Sequence, residues 1–281
     1  MINLWISEDI GRGDLTKVIF DNQTVSAYWV TKNDGVFCGG LIIKKLFKNI
    51  DPLVHIELLK NDGDEIKKGE KLLNLQGPNS SLVTGERTSL NIAMHLSGIA
   101  TATSLLVKKL KGSGILLCDT RKTSPGLRVF EKYAIRCGGG VNHRLGLDDA
   151  AMIKENHIAW TEGIGPSIKK IRMSSPWTTR IIVEAETATQ AIEAAEKGAD
   201  GILLDEMDLN EIKRLVPKLR EIANKSDQRI TRNLVIEISG IDPKNVEDYK
   251  FSGVDLISTS APITKSSWID MSMRFDKKES Y

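Results

Sequence analysis

The sequence predicts an α/β protein in two parts: a small N-terminal α+β sandwich domain, then a C-terminal α/β barrel. The barrel is TIM-like, with six recognisable units and so room for an incomplete ring. Three observations predict it. From residue 114 onward short apolar runs alternate with amphipathic segments, the strand–loop–helix rhythm of a parallel sheet. The turns Gly198-Ala199-Asp200-Gly201 and Gly253-Val254-Asp255 fall where a helix passes back to a strand. No dinucleotide-type glycine fingerprint is present, which favours a barrel over an open doubly wound sheet.

Residues 1–101 form the expected first domain, 102–265 the barrel, and the tail 266–281 is expected to pack back on the first domain. Residues 4–10 read as a short helix stopped by Gly11 and Gly13. Val25, Ala27 and Trp29 alternate with polar neighbours, so one face of a strand is buried. Residues 35–40 form a turn-bounded apolar segment, 41–47 a short amphipathic helix, and 54–58 another strand. The turn clusters Asn61-Asp62-Gly63-Asp64 and Lys67-Lys68-Gly69-Glu70 punctuate a hairpin-like module ending in the strand 72–75. A long helix follows over 81–111, bent near Ser97-Gly98.

The barrel strands are read at 115–118, 151–153, 181–183, 202–204, 235–238 and 256–258. Helices are read at 127–136, 168–173, 189–197, 209–222 and 243–251. The charged stretch 224–229 reads as a surface loop.

Composition narrows the function classes. The chain has 281 residues, 41% of them hydrophobic and 27% charged, as in an ordinary globular protein. A net charge of +2 without a basic tail argues against bulk nucleic-acid binding. Three cysteines, Cys38, Cys118 and Cys137, form no even framework and no CxxC, as expected in a reducing compartment. The start is too polar for a signal peptide, and no apolar run approaches the roughly 20 residues of a membrane helix. A cytoplasmic protein with neither nucleic acid nor membrane as partner is expected.

Chemistry gathers where the strands end. The first strand runs into Asp119, Arg121 and Lys122; the second into Lys154, Glu155 and Asn156. The next two end in Glu184 with Glu186, and in Asp205 with Glu206. The last two end in Ser239-Gly240 and Ser258-Thr259-Ser260. A glycine run, 138–140, leads to Asn142-His143-Arg144. Arg121, Lys122, Arg144 and Lys154 would repel one another unless an anion sat among them. Glu184 and Asp205 on neighbouring strand ends suit Mg²⁺, which takes one or two carboxylates plus substrate phosphates. Ser239, Gly240 and Ser260 offer hydroxyls and backbone N–H groups to a phosphate. Four histidines without an HxH or HExxH pattern argue against zinc.

The motifs Thr120-Arg121-Lys122-Thr123, Pro125-Gly126-Leu127-Arg128, Gly-Gly-Gly-x-Asn-His-Arg and Ile-Lys-x-Asn-His occur in this order. Glu8 to Thr16, Gly85-Glu86-Arg87-Thr88 and Leu96 to Thr101 accompany them. In this combination the chain resembles the quinolinate phosphoribosyltransferase family, type II phosphoribosyltransferases, over nearly its whole length. The resemblance implies transfer of phosphoribosyl from phosphoribosyl pyrophosphate to quinolinate with decarboxylation, giving nicotinate mononucleotide, pyrophosphate and CO₂. It places Arg121, His143, Arg144 and Lys154 on the dicarboxylate and Lys122 on the pyrophosphate side. Glu184 and Asp205 face the ribose and Mg²⁺, the metal being held mainly through the diphosphate. Ser239, Gly240 and Ser260 take the 5′-phosphate. Arg87 is expected to reach the site of a neighbouring subunit in a homodimer or larger homo-oligomer.

Ile241 after Gly240 and the Ser260-Ala261-Pro262 run depart from the family pattern. That run looks more like the molybdenum-operon paralogues, the ModD-like proteins, which act on another substrate. A Schiff-base enzyme built on Lys154 and a non-catalytic nucleotide- or dicarboxylate-binding paralogue are the other readings.

Overall fold

The structure is a computed structural model and describes residues 1–225 and 233–275. Along the chain come α1 (Ile2–Ile10), β1 (Thr24–Thr31), β2 (Gly35–Val36), α2 (Gly40–Ile50), β3 (His55–Leu58), β4 (Glu65–Ile66), β5 (Lys71–Pro78) and α3 (Asn79–Lys109). Then follow β6 (Leu116–Cys118), α4 (Arg128–Cys137), β7 (Ala151–Ile153), α5 (Glu155–Ala159), α6 (Ile164–Ser174), β8 (Ile181–Ala185) and α7 (Ala188–Glu196). The chain closes with β9 (Gly201–Asp205), α8 (Leu209–Lys225), β10 (Val235–Ser239), β11 (Leu256–Ser258), α9 (Ala261–Thr264) and β12 (Met271–Phe275). Residues 243–249, read as a helix, form a 3₁₀ segment whose first turn is capped by Asp242. Asn224 and Lys225, read as part of a loop, close α8; the rest of that stretch, 226–229, lies outside the described residues.

Two units result: Met1–Ser104 with Phe130–Gly139 and Lys265–Tyr281, and Leu105–Val129 with Gly140–Thr264. The first is built on an antiparallel sheet in the order β12-β1-β5-β3. The alternation in β1 buries Ala27, Trp29 and Thr31. Trp29 pairs in register with Leu73 of β5 and Met273 of β12, so three sequence-distant apolar residues share one face. Ile43, Leu46 and Phe47 of α2 are wholly buried in the same cluster. Each such side chain contributes about 1.5–3 kcal/mol when removed from water.

Helix α3 corrects one sequence expectation. Its 31 residues are long and apolar enough, by length and composition, to cross a membrane. The apolar residues are interrupted by serines, threonines and Glu86-Arg87, which is why no continuous run stands out in the sequence. In the first unit its buried residues include Leu82, Leu90, Ala93, Leu96 and Ile99.

Most of α4 belongs to the first unit, although all of 102–265 was expected in the barrel. Its contacts explain this. Phe130 meets Trp5 with ring centroids 4.9 Å apart, Tyr133 donates to Asp62 at 2.7 Å, and Glu131 lies 3.0 Å from His95 Nε2.

The second unit is a parallel sheet in the order β6-β11-β10-β9-β8-β7. The last strand in sequence, β11, pairs with the first, β6, as closure of a barrel requires. Val141 adds a single bridge on the other side of β6, to Cys118. Among the described residues no ladder joins Val141 to β7, so the ring is open there. Strand alternation divides the side chains. Ile181, Val183, Ala185, Ile202, Leu204, Ile236, Ile238 and Ile257 are buried in one apolar cluster with Ala191, Ala194, Ile212, Leu215 and Leu219 of α7 and α8. By the same period of two, Glu184, Asp205, Glu237 and Ser239 turn to the barrel interior.

Two acids brace the helix-to-strand turns in the same way. Asp200 accepts from Arg172 at 2.5 Å and from the N–H of Ile181 at 2.6 Å. Asp255 accepts from Arg220 with both oxygens at 2.8 Å and from the N–H of Ile236 at 2.7 Å. Each ties a helix to the start of the neighbouring strand.

Candidate active site

The ladders set the carboxyl ends of the strands level. Ile153 of β7 is opposite Val183 of β8, and Ser239 of β10 is opposite Asp205 of β9. Continuing each register brings Lys154 beside Glu184, and their side chains meet at 2.6 Å. The hydroxyl of Ser239 donates to Asp205. The second and third strand ends thus present a cation on an acid, and the fourth and fifth present an acid on a hydroxyl.

Burial pushes the Glu184 carboxyl above the ordinary glutamate range; the Lys154 ammonium opposes this, and the Asp205 charge adds to it. The charge carried here is therefore held at a cost, in a place where a developing positive charge would relieve it.

Gly240, next to Ser239, sits at a φ of +74°, and a Cβ there would lie 2.5 Å from Glu206 Cγ and 3.1 Å from its backbone nitrogen. Glu206 itself has a φ of +53°, and its N–H donates to the Ser239 carbonyl at 3.3 Å. The two strand ends are thus cinched, which keeps Asp205 and Ser239 in contact. Ser260 is half-buried ahead of α9, its carbonyl accepting the N–H groups of Ile263 and Thr264, both at 2.9 Å.

The cations are held by the loops. After β6, Arg121 is half-buried and Lys122 exposed. Burial, and then the nearby Arg121 charge, lower the Arg144 guanidinium from its ordinary range. Two arginines close enough for one to disfavour the other's charge are the local signature of an anion-binding place. Arg128 holds this loop region by donating to Thr123 Oγ1 and to the Leu145 carbonyl, both at 3.1 Å. Arg87 is exposed on α3, in the first unit.

Asp119, named in the sequence only as a strand-end acid, and Glu237, not singled out there, are two buried acids of this region to which the motif reading gave no role. Asp119, fully buried, accepts from the His143 N–H and from the Asn142 side chain, both at 2.7 Å. Glu237, 3% exposed, lies 3.2 Å from His143 Nε2 through Oε2, while its Oε1 is buried without a hydrogen-bond partner. Leaving a buried acceptor unsatisfied costs about 1–3 kcal/mol. The available signal was an acid in the middle of an apolar strand, Val235-Ile236-Glu237-Ile238, a place where acids are rarely buried without a role.

A cavity of about 300 Å³ occupies the barrel interior. Ile182, Gly201, Val235 and Leu256, from the starts of their strands, line it together with Glu237, His143 and Arg144. It lies deeper than the Lys154–Glu184 and Asp205–Ser239 pairs. His143 and Arg144 border it.

No group of three or more His, Cys, Asp or Glu side chains placed to hold a metal ion occurs among the described residues. Glu184 and Asp205 are each engaged by a protein donor. They fit Mg²⁺ only as a two-carboxylate face toward an ion that arrives with substrate phosphates.

Comparison with known proteins agrees with this geometry. Residues 14–97 match the model of the quinolinate phosphoribosyl transferase N-terminal domain, and residues 99–274 that of the C-terminal domain. A probable nicotinate-nucleotide pyrophosphorylase [carboxylating] of Bacillus subtilis is 41% identical over 275 residues, covering 97% of this chain and 91% of that protein. The protein of the same description from Synechocystis sp. is 39% identical, covering 96% and 90%. The crystal structure of NadC from Streptococcus pyogenes superposes with a TM-score of 0.90 at 34% identity, covering 97% of this chain and 94% of that one. With residues 14–97 and 99–274 matched by the two domain models, the chain belongs to the quinolinate phosphoribosyl transferase family.

Proposed function

We propose that the chain transfers the phosphoribosyl group of phosphoribosyl pyrophosphate to the ring nitrogen of quinolinate, with loss of CO₂, to give nicotinate mononucleotide and pyrophosphate. The observation that carries this reading is the set of strand ends. Lys154, Glu184, Asp205 and Ser239 stand at the ends of four consecutive strands, near two loops, one before and one after α4, that bring two arginines, Arg121 and Arg144, close enough to repel each other.

The chemistry follows from those groups. Arg121, Arg144 and Lys154 neutralise the two carboxylates of quinolinate and orient its nitrogen toward the anomeric carbon. As the nitrogen–carbon bond forms, the bond from that carbon to the diphosphate oxygen breaks, and positive charge grows on the ribose. Glu184 and Asp205 stabilise that charge, while Lys122 stands on the leaving side. When bound with the diphosphate, Mg²⁺ supplies further neutralisation of the leaving group. The 2-carboxylate then leaves as CO₂, its bonding pair remaining on the ring carbon beside the positive nitrogen until a proton is taken up. Ser239, Gly240 and Ser260 hold the 5′-phosphate. Arg87 completes the site of a partner subunit in a homodimer or larger assembly, in the cytoplasm.

Turnover assays with quinolinate and nicotinate side by side, read by mass detection of the mononucleotide, test this. Quinolinate is used and nicotinate is not, because a site built for two carboxylates penalises the analogue with one. Equal turnover of nicotinate overturns the reading.

A further inference from the structure

We propose that His143 is a positioning residue rather than a ligand of the dicarboxylate: Glu237 fixes its ring, and the ring fixes Arg144. This rests on the anion site described above. The Arg144 N–H donates to His143 Nδ1 at 2.8 Å. Nδ1 therefore carries no proton, because two donors cannot face each other. The one ring proton is on Nε2, which lies 3.2 Å from Glu237 Oε2. Both ring nitrogens are then engaged within the protein, and the ring is neutral. It has no donor left for a carboxylate, nor a charge to offer one.

What the ring controls is the segment that carries Arg144. The His143 N–H is held by Asp119 at the end of β6, and the His143 side chain is held by Glu237 on β10. Together they set residue 144 where the barrel ring is open. From there Arg144 reaches across to the Ala150 carbonyl with one guanidinium nitrogen at 2.8 Å. A guanidinium has five N–H donors in a fixed fork, so the remaining ones can serve an anion only if the fork is aimed correctly. Aiming is the function assigned to the Glu237–His143 pair.

Two measurements on the full chain test this. The first reads the tautomer of His143 by long-range nitrogen–proton NMR correlations, without reference to activity. A neutral ring protonated on Nε2 is expected at neutral pH; protonation on Nδ1, or on both nitrogens, overturns the proposal.

The second is a double-mutant cycle on quinolinate KM and kcat. His143→Ala and Glu237→Leu should each raise the quinolinate KM roughly tenfold, with a smaller change in kcat and in the KM for phosphoribosyl pyrophosphate. Each should add less than about twofold to the loss already caused by Arg144→Ala, because their effect passes through that residue. Glu237→Gln, which keeps an acceptor for Nε2–H, should recover most of the affinity that Glu237→Leu loses. Losses that multiply in the double variants overturn the positioning role. A wild-type chain that binds but does not turn over quinolinate instead overturns the activity, leaving the tautomer measurement to decide the role of His143. Should an alanine or leucine variant fail to fold, the tautomer measurement on the wild-type chain likewise decides.

Discussion

Glu184 is the residue at which the proposed function and stability oppose each other. Its folded-state pKa is raised above the ordinary 4.5, chiefly by burial. The sign follows from that direction. The fold favours the protonated form, so stability falls as pH rises from the ordinary glutamate value through the raised one. Glu184→Gln is therefore expected to lower kcat. At pH 7 its thermal midpoint should equal or exceed that of the wild type, and the difference should vanish below pH 4.5. Thermal melts at the two pH values check this; a loss of stability at pH 7 would mean that the Lys154 contact outweighs burial. Asp205→Asn should lower kcat more than it raises the quinolinate KM, since its charge acts on the developing oxocarbenium. An unaffected kcat would remove Asp205 from the chemistry.

At the scale of elements, the strand ends β9 and β10 depend on Gly240. Gly240→Ala puts a Cβ at a φ of +74° and against Glu206. The left-handed conformation alone costs about 1–2 kcal/mol, so a urea midpoint lowered by roughly that much is expected. A larger loss of kcat/KM for phosphoribosyl pyrophosphate than for quinolinate should accompany it. An unchanged midpoint would show that the turn relaxes without effect. These strands were legible in the sequence because Ile181-Ile182-Val183 and Ile202-Leu203-Leu204 are short, apolar and flanked by turn residues. The side to which α4 would belong was not. Its stripe of Phe130, Ala134 and Ile135 shows that one face is buried, but not against what. The partners Trp5, Asp62 and His95 are far away in sequence. Glu237 was passed over for a related reason. Alternation places it inward, as it does Glu184, but only the fold reveals that His143 lies opposite.

At the scale of the molecule, the test is whether one chain suffices. Arg87 lies in the first unit, away in sequence from the strand-end cluster, and is exposed. Arg87→Ala should fold normally and bind quinolinate weakly. Mixed with Lys154→Ala at equal ratio and fully exchanged, it should recover roughly a quarter of wild-type activity, because half the dimers are mixed and each carries one intact site. No recovery after verified exchange, or a monomer at working concentration, would exclude the shared site. The motifs that carry the family resemblance were readable from the sequence as local strings. Which strings face one another was not, because that depends on strand order and on an opening in the ring that leaves no mark in composition.

That opening has a kinetic consequence. A closed ring of strands unfolds only by breaking ladders on both sides of some strand, whereas among the described residues β7 has a ladder on one side alone. Its three residues and the segment from Asn142 to Ala150 should open as a unit at a free energy below that of global unfolding. Amide protons there should exchange with deuterium ahead of those in β8, β9 and β10. Bound quinolinate should slow them selectively, since a ligand gripped by Arg144 and Lys154 spans both banks of the breach. Filling the site would then act as the clasp that the backbone lacks.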